Sequence, residues 1–150
     1  MQPTKNKQAV VEVDGKTRSI IGLVERVKVF KRNGKLQDVQ MGSGENGHVD
    51  NLSSDKEHIE LIAKVDTGAT KSSIDFGVAK KLGIGPVLRS SVIRNAHGSK
   101  VRPLVEVELV LEGHRLKGLF SLADRSHLTY PLLIGQNILT QGDFVIDPTR

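Results

Sequence analysis

Apolar and polar residues alternate along most of this chain, and only one short stretch has the spacing of a helix. Ile59-Glu60-Leu61-Ile62-Ala63-Lys64-Val65 and Val105-Glu106-Val107-Glu108-Leu109-Val110-Leu111 show the clearest alternation, the mark of strands with one buried face. Val10 to Val13, then Asp14-Gly15, then Ile20 to Val24 predict a hairpin, because Asp-Gly suits a tight turn with positive φ. Val27, Lys28 and Val29 continue the alternation, and Asn33-Gly34 predicts a second hairpin turn leading into Leu36 to Met41. Val92 to Arg94 and Val101-Arg102 predict a further hairpin, with its tip spread over Asn95-Ala96-His97-Gly98-Ser99-Lys100. The strand at Val105 to Leu111 turns at Glu112-Gly113-His114 and returns over Leu116 to Leu122; Phe144 to Pro148 makes a short last strand.

The helical stretch runs from Asp75 to Leu82, with Asp75 as N-cap, Gly83 as stop and Pro86 soon after. Residues 42–57 are rich in Gly, Asn and Ser and read as a mobile inserted loop. The expected architecture is one mostly-β domain over 1–150 with one or two short helices, its first 18 residues flexible or peripheral.

Composition narrows the chemistry. Hydrophobic residues make up 37% of the chain but aromatics only 3%, so Val, Ile and Leu must build the core. The absence of cysteine excludes disulfides, thiolate metal sites and cysteine catalysis. Met1 to Gln8 lead into no long apolar run, so neither a signal peptide nor a membrane span is expected, and the cytoplasm is the default compartment. Between Phe76 and Val105 stand six basic residues (Lys80, Lys81, Arg89, Arg94, Lys100, Arg102) and no acidic one. Two readings stay open: a solvated surface, or a positive rim that attracts an acidic substrate. With one Tyr, no Trp and no nucleic-acid motif, no nucleic-acid partner is expected.

The candidate chemistry sits at Asp66-Thr67-Gly68-Ala69, where the strand from Ile59 must turn sharply. Amide hydrolysis by paired carboxylates needs one ionised group to take a proton from water and one protonated group to polarise the scissile carbonyl. Two carboxylates in contact share a proton and titrate as a unit. Asp66 supplies one of them, Thr67 a hydroxyl that can lock the turn or a dimer, and Gly68 a backbone that passes close enough to aim its amide at the carboxylate. No second Asp-Thr-Gly or Asp-Ser-Gly occurs: Asp14-Gly15 lacks the hydroxyl and Asp143-Phe144 lacks the glycine. The second carboxylate must then come from another copy, in a two-fold homodimer.

These residues resemble the retropepsin-like aspartic peptidases over roughly Ile59 to Pro148. Ile62 to Ala69 is similar to that family's catalytic strand and turn, Leu133-Ile134-Gly135 to the segment crossing behind the catalytic loop, and Gln136 to Leu139 to the short helix after it. Ile20 to Glu25 and Phe144 to Pro148 look more like the cellular prokaryotic branch, often labelled "ATP-dependent zinc proteases" and associated with RimK-type ligases that add glutamates to proteins. The resemblance implies a closed β-barrel-like acid protease fold with a flap hairpin over the cleft, dimerisation through terminal strands, and Asp66 as catalytic residue. By the same resemblance Thr70 and the tip residues Arg94, Asn95, Ala96, His97 and Gly98 contact a peptide or protein substrate.

The zinc label finds no support in the sequence. His48, His58, His97, His114 and His127 never form His-Glu-x-x-His, and no phosphate-binding glycine loop is present, so neither metal nor cofactor is expected. The chain also departs from the viral pattern. Thr70 and Lys71 stand where viral members commonly begin with Asp, and the flap tip has one glycine. Ala69 cannot donate a hydrogen bond to an anionic dyad, which predicts a pH optimum of ~5 to 6.5. Two functions fit: a homodimeric aspartic endopeptidase, possible substrates including acidic or glutamate-rich peptides, or a catalytically weak dimerisation or peptide-binding module on the same fold.

Overall fold

The computed structural model describes residues 8–32 and 57–150. Within them the alternating segments form β1 (Val10–Val13), β2 (Lys16–Ile21), β3 (Val24–Phe30), β4 (His58–Val65), β5 (Ser72–Asp75), β6 (Arg89–Asn95), β7 (Gly98–Leu111), β8 (His114–Ala123), β9 (Leu132–Ile134) and β10 (Phe144–Ile146). Two short helices, α1 (Phe76–Lys81) and α2 (Gln136–Leu139), complete the described elements. The order β3-β4-β9-β5-β8-β7, with β7 pairing back onto β3, closes six strands into a barrel. β6 pairs with β7 outside that ring and forms the flap hairpin. β1, β2 and β10 make a separate three-stranded sheet in which β10 runs parallel to β2.

Alternation explains the core. Ala63 and Val65 of β4, Leu132 and Ile134 of β9, Ile74 of β5, and Val105, Val107, Leu109 and Leu111 of β7 point inward around Phe120. Each Val, Leu, Ile or Phe among them, fully withdrawn from water, contributes about 1.5–3 kcal/mol before the entropy of ordering is subtracted.

The first hairpin turns where expected, with Asp14 at φ 51° and Gly15 at φ 77°. Its return arm differs: β2 starts at Lys16 and stops at Ile21, and Val24 belongs to β3 of the barrel. The break is held by polar bonds, since Gly22 N–H donates to Glu25 Oε2 at 2.7 Å and Val65 N–H to Leu23 O at 2.9 Å. Residues 10–13 and 16–18 of the expected N-terminal segment thus belong to strands of the small sheet. The Asn33-Gly34 turn, Leu36 to Met41 and residues 42–56 of the expected loop lie outside the described residues. The helix is as read: Asp75 Oδ2 accepts from Val78 N–H at 3.2 Å, and Gly83 leaves with φ 64°. No helix among the described residues is long and apolar enough to cross a membrane.

Glu25 is a carboxylate buried on β3. Burial pushes its pKa up; the Gly22 hydrogen bond opposes this, Glu112 adds to it and Arg150 subtracts. The native chain therefore holds this proton more tightly than the unfolded chain does. Stability from this group is lost as pH rises from the ordinary carboxylate value of 4.5 through the raised folded value. Glu25→Gln should raise the Tm by a few degrees near neutral pH and give no gain in acid below the ordinary carboxylate value, measured by calorimetry at both.

Candidate active site

β4 delivers Asp66 to a turn that the chain braces from several directions. Asp66 N–H donates to Ile134 O at 2.9 Å, extending the β4–β9 ladder by one residue. Gly68 N–H donates to Asp66 Oδ1 at 2.9 Å, and Ala69 N–H to Asp66 O at 3.3 Å. From α2, Gln136 N–H reaches Ala69 O at 2.8 Å, Asn137 N–H reaches Thr70 O at 3.2 Å, and Gln136 Nε2 reaches Thr67 O at 2.7 Å. The carboxylate is half-buried, whereas Thr67, Gly68 and Thr70 are exposed. Such a turn holds one carboxylate oxygen in place and leaves the group open to a ligand or a second carboxylate.

Behind the turn, Gly135 passes so closely that a Cβ there would stand 2.5 Å from Lys71 O and 2.7 Å from Ala69 O. Ser72 Oγ accepts from Gly135 N–H at 2.8 Å and donates to Asn137 Oδ1 at 2.7 Å, while Asn137 Nδ2 donates to Leu119 O at 2.9 Å. Leu133 and Ile134 pair with β4 beside the turn, Ile134 in the core, and Gly135 follows them.

Strand parity defines the face that carries Asp66. Ala63 and Val65 point into the barrel, so Lys64 and Asp66 point outward. Register carries this outer face from Lys64 to Leu133, Ser73, Ser121 and Leu104 in turn. Leu104 is buried yet stands apart from the barrel core, as an outer-face residue should.

The flap residues lie on a different element. β6 and β7 pair up to Asn95 and Gly98, so the tip is the two-residue turn Ala96-His97 rather than the six residues expected. Gly98 has φ 122°, a conformation that favours glycine. Arg94, Ala96, His97 and Gly98 are exposed there; the side chain of Asn95 lies outside the described part. Sequence reading missed Arg125, whose Nη1 donates to Ser73 Oγ at 3.2 Å and whose Nε donates to Tyr130 O at 3.0 Å. Of the histidines, His114 is half-buried, 3.1 Å from Ser19 Oγ and edge-on to Phe144, so it ties the small sheet to the barrel.

Residues 79–150 match the model of the RimB-like family, described as retropepsin-like aspartic endopeptidase RimB. Over that span, just under half of the chain, it is similar in sequence to the retropepsin-like aspartic endopeptidases. The matched span includes Leu133-Ile134-Gly135 and leaves Asp66 outside. Among solved structures, a protein Lpg0085 with unknown function (DUF785) from Legionella pneumophila is 19% identical, with TM-score 0.51, over 87% of this chain and 94% of that one. Simian foamy virus (mac) protease is 12% identical, with TM-score 0.48, over 78% of this chain and 91% of that one. No curated protein matches the chain.

Proposed function

We propose that this chain is an aspartic endopeptidase that works as a homodimer, Asp66 of each protomer forming the dyad. The observation that carries this is the Asp66 turn: a half-buried carboxylate with one oxygen held by Gly68 N–H, beside exposed Thr67. One carboxylate of the pair takes a proton from water, which attacks the scissile carbonyl, while its protonated partner polarises that carbonyl. Thr67, whose hydroxyl has no hydrogen bond among the described residues, serves as the lock between protomers. The small sheet supports assembly through terminal strands, because β10 lies at its edge with one side unpaired among the described residues.

The substrate is an extended peptide covered by the β6–β7 flap, with Thr70, Arg94, Asn95, Ala96, His97 and Gly98 as its contacts. Acidic or glutamate-rich peptides suit the basic run ending at Arg102, and the cytoplasm is the proposed compartment. Because the family match stops short of Asp66, a weakly catalytic peptide-binding module on the same fold is the second reading. Incubation with casein and acidic peptides from about pH 3 to 8 separates them. Asp66→Asn should lower cleavage on the order of 10³-fold or more, with a wild-type optimum at about pH 5 to 6.5. Cleavage that survives the substitution assigns the activity elsewhere, and no cleavage by a protein shown to be dimeric selects the binding module.

A further inference from the structure

Arg125 has more charge than its surroundings balance. It is half-buried in the segment after β8, with Nη1 on Ser73 Oγ and Nε on Tyr130 O. Ser73 belongs to the outer face that carries Asp66, so the guanidinium lies over that face. Burial pushes its pKa down, Asp75 pulls it back up, and Arg102 pushes it down further, which puts a second guanidinium nearby. Arg102 is two residues before Leu104 on β7 and so shares the outer face.

No carboxylate among the described residues stands within 4.0 Å of either guanidinium, although the same chain forms such pairs elsewhere. The two nearby acids are committed to backbone. Asp75 accepts from Val78 N–H and Arg125 N–H, and exposed Asp124 accepts from Ser126 N–H. Opposite Arg102 in register stands Ser91, whose Oγ is buried with no hydrogen-bond partner among the described residues. Two cations and an unsatisfied hydroxyl therefore border one stretch of the Asp66 face. Holding two half-buried like charges close together is unfavourable until an anion joins them.

We propose that Arg125, assisted by Arg102, is a specificity-determining residue that binds a carboxylate side chain of the substrate. The inference rests on the Asp66 face being the peptide cleft. Arg125 is the principal contact because Ser73 and Tyr130 fix its plane, which leaves its outer Nη2 edge to meet a carboxylate with charge-assisted hydrogen bonds. Arg102 adds attraction from the flap side, and Asp75 moderates it.

The test uses fluorescein-labelled peptides of equal length, one with glutamates and one with glutamines, binding to the full chain carrying Asp66→Asn. Anisotropy titration should show preference for the glutamate peptide. Adding Arg125→Gln should weaken that peptide by about 10–100-fold and the glutamine peptide by less than about threefold. Adding Arg102→Gln in place of Arg125→Gln should weaken the glutamate peptide less, and shift the salt dependence. Equal loss for both peptides would make Arg125 a structural strut, and no loss, or no glutamate preference in the parent, would overturn the proposal. If Arg125→Gln fails to fold by circular dichroism, Arg125→Lys decides: it keeps the charge and loses the planar fork, so unchanged glutamate binding rejects the subsite. Hydrolysis by the wild-type chain is scored separately, so a failed dyad and a failed subsite give different results.

Discussion

Wild-type chain mixed with a tenfold excess of Asp66→Asn chain should lose nearly all its peptide hydrolysis. Each active site proposed above needs two Asp66 carboxylates, and the chain has one Asp-Thr-Gly. After random exchange of protomers only about one wild-type chain in eleven keeps a wild-type partner. Activity per wild-type chain should then fall about tenfold, while the same excess of an unrelated protein leaves it unchanged. A mixed dimer is no half-active enzyme, because the remaining aspartate has no protonated carboxyl opposite it to polarise the carbonyl. The mixture is prepared by dilution and reconcentration so that exchange occurs, and heterodimers are verified by native mass spectrometry. If heterodimers form and activity per wild-type chain holds, one Asp66 suffices and the dyad is refuted. The proposed dimer should also make specific activity fall on dilution, since in it an isolated chain carries half of the site.

What could be read beforehand follows from where polar groups end up. β4, β7 and β8 alternate plainly because one face of each packs into the barrel and the other meets water or polar neighbours. β5 was invisible for the opposite reason. Ser72 and Ser73 are buried in a central strand, their hydroxyls satisfied by Gly135, Asn137 and Arg125, and hydrophobic periodicity cannot mark a strand whose buried residues are serines. Ser99 and Lys100 look like loop residues, which makes the flap tip expected from sequence wider than the observed turn. On a two-stranded hairpin outside the barrel both can stay exposed and still pair, Ser99 with Arg94 and Lys100 with Ile93.

The site divides in the same way. Asp66, Thr67, Gly68 and Ala69 are contiguous, and the need for a tight turn around a carboxylate makes their order legible. Their support is distant in sequence: Gln136 reaches Thr67 across 69 residues, and Arg125 reaches Ser73 across 52. Such partners are chosen by topology, here the insertion of β9 between β4 and β5. Sequence marks Gly135 only through resemblance; what requires a glycine there is its close approach to the backbone of Ala69 and Lys71.

That reason gives the largest stability effect expected in this chain, from the substitution Gly135→Ala. Gly135 has φ −102° and ψ −171°, extended backbone that alanine adopts freely, so conformation is not the obstacle. Space is. The added methyl would stand 2.5 Å from Lys71 O, 2.7 Å from Lys71 C and 2.7 Å from Ala69 O, all backbone atoms. These cannot retreat cheaply, because Ala69 O accepts from Gln136 N–H and the neighbouring Gly135 N–H is held by Ser72 Oγ. Gly118→Ala is the matched comparison: its methyl would meet Ile138 Cδ1 at 2.8 Å, the movable end of a flexible side chain. Urea denaturation should therefore show a loss of about 3 kcal/mol or more for Gly135→Ala, against about 1 kcal/mol for Gly118→Ala. If the chain hydrolyses peptides as proposed, any folded Gly135→Ala protein should lose hydrolysis further than its stability explains, because relieving the clash moves Ala69 and, through Asp66 O, the Asp66 turn. Equal losses for the two variants would mean that the loop yields to a methyl group, and the bracing from α2 would then not be what holds Asp66 in place.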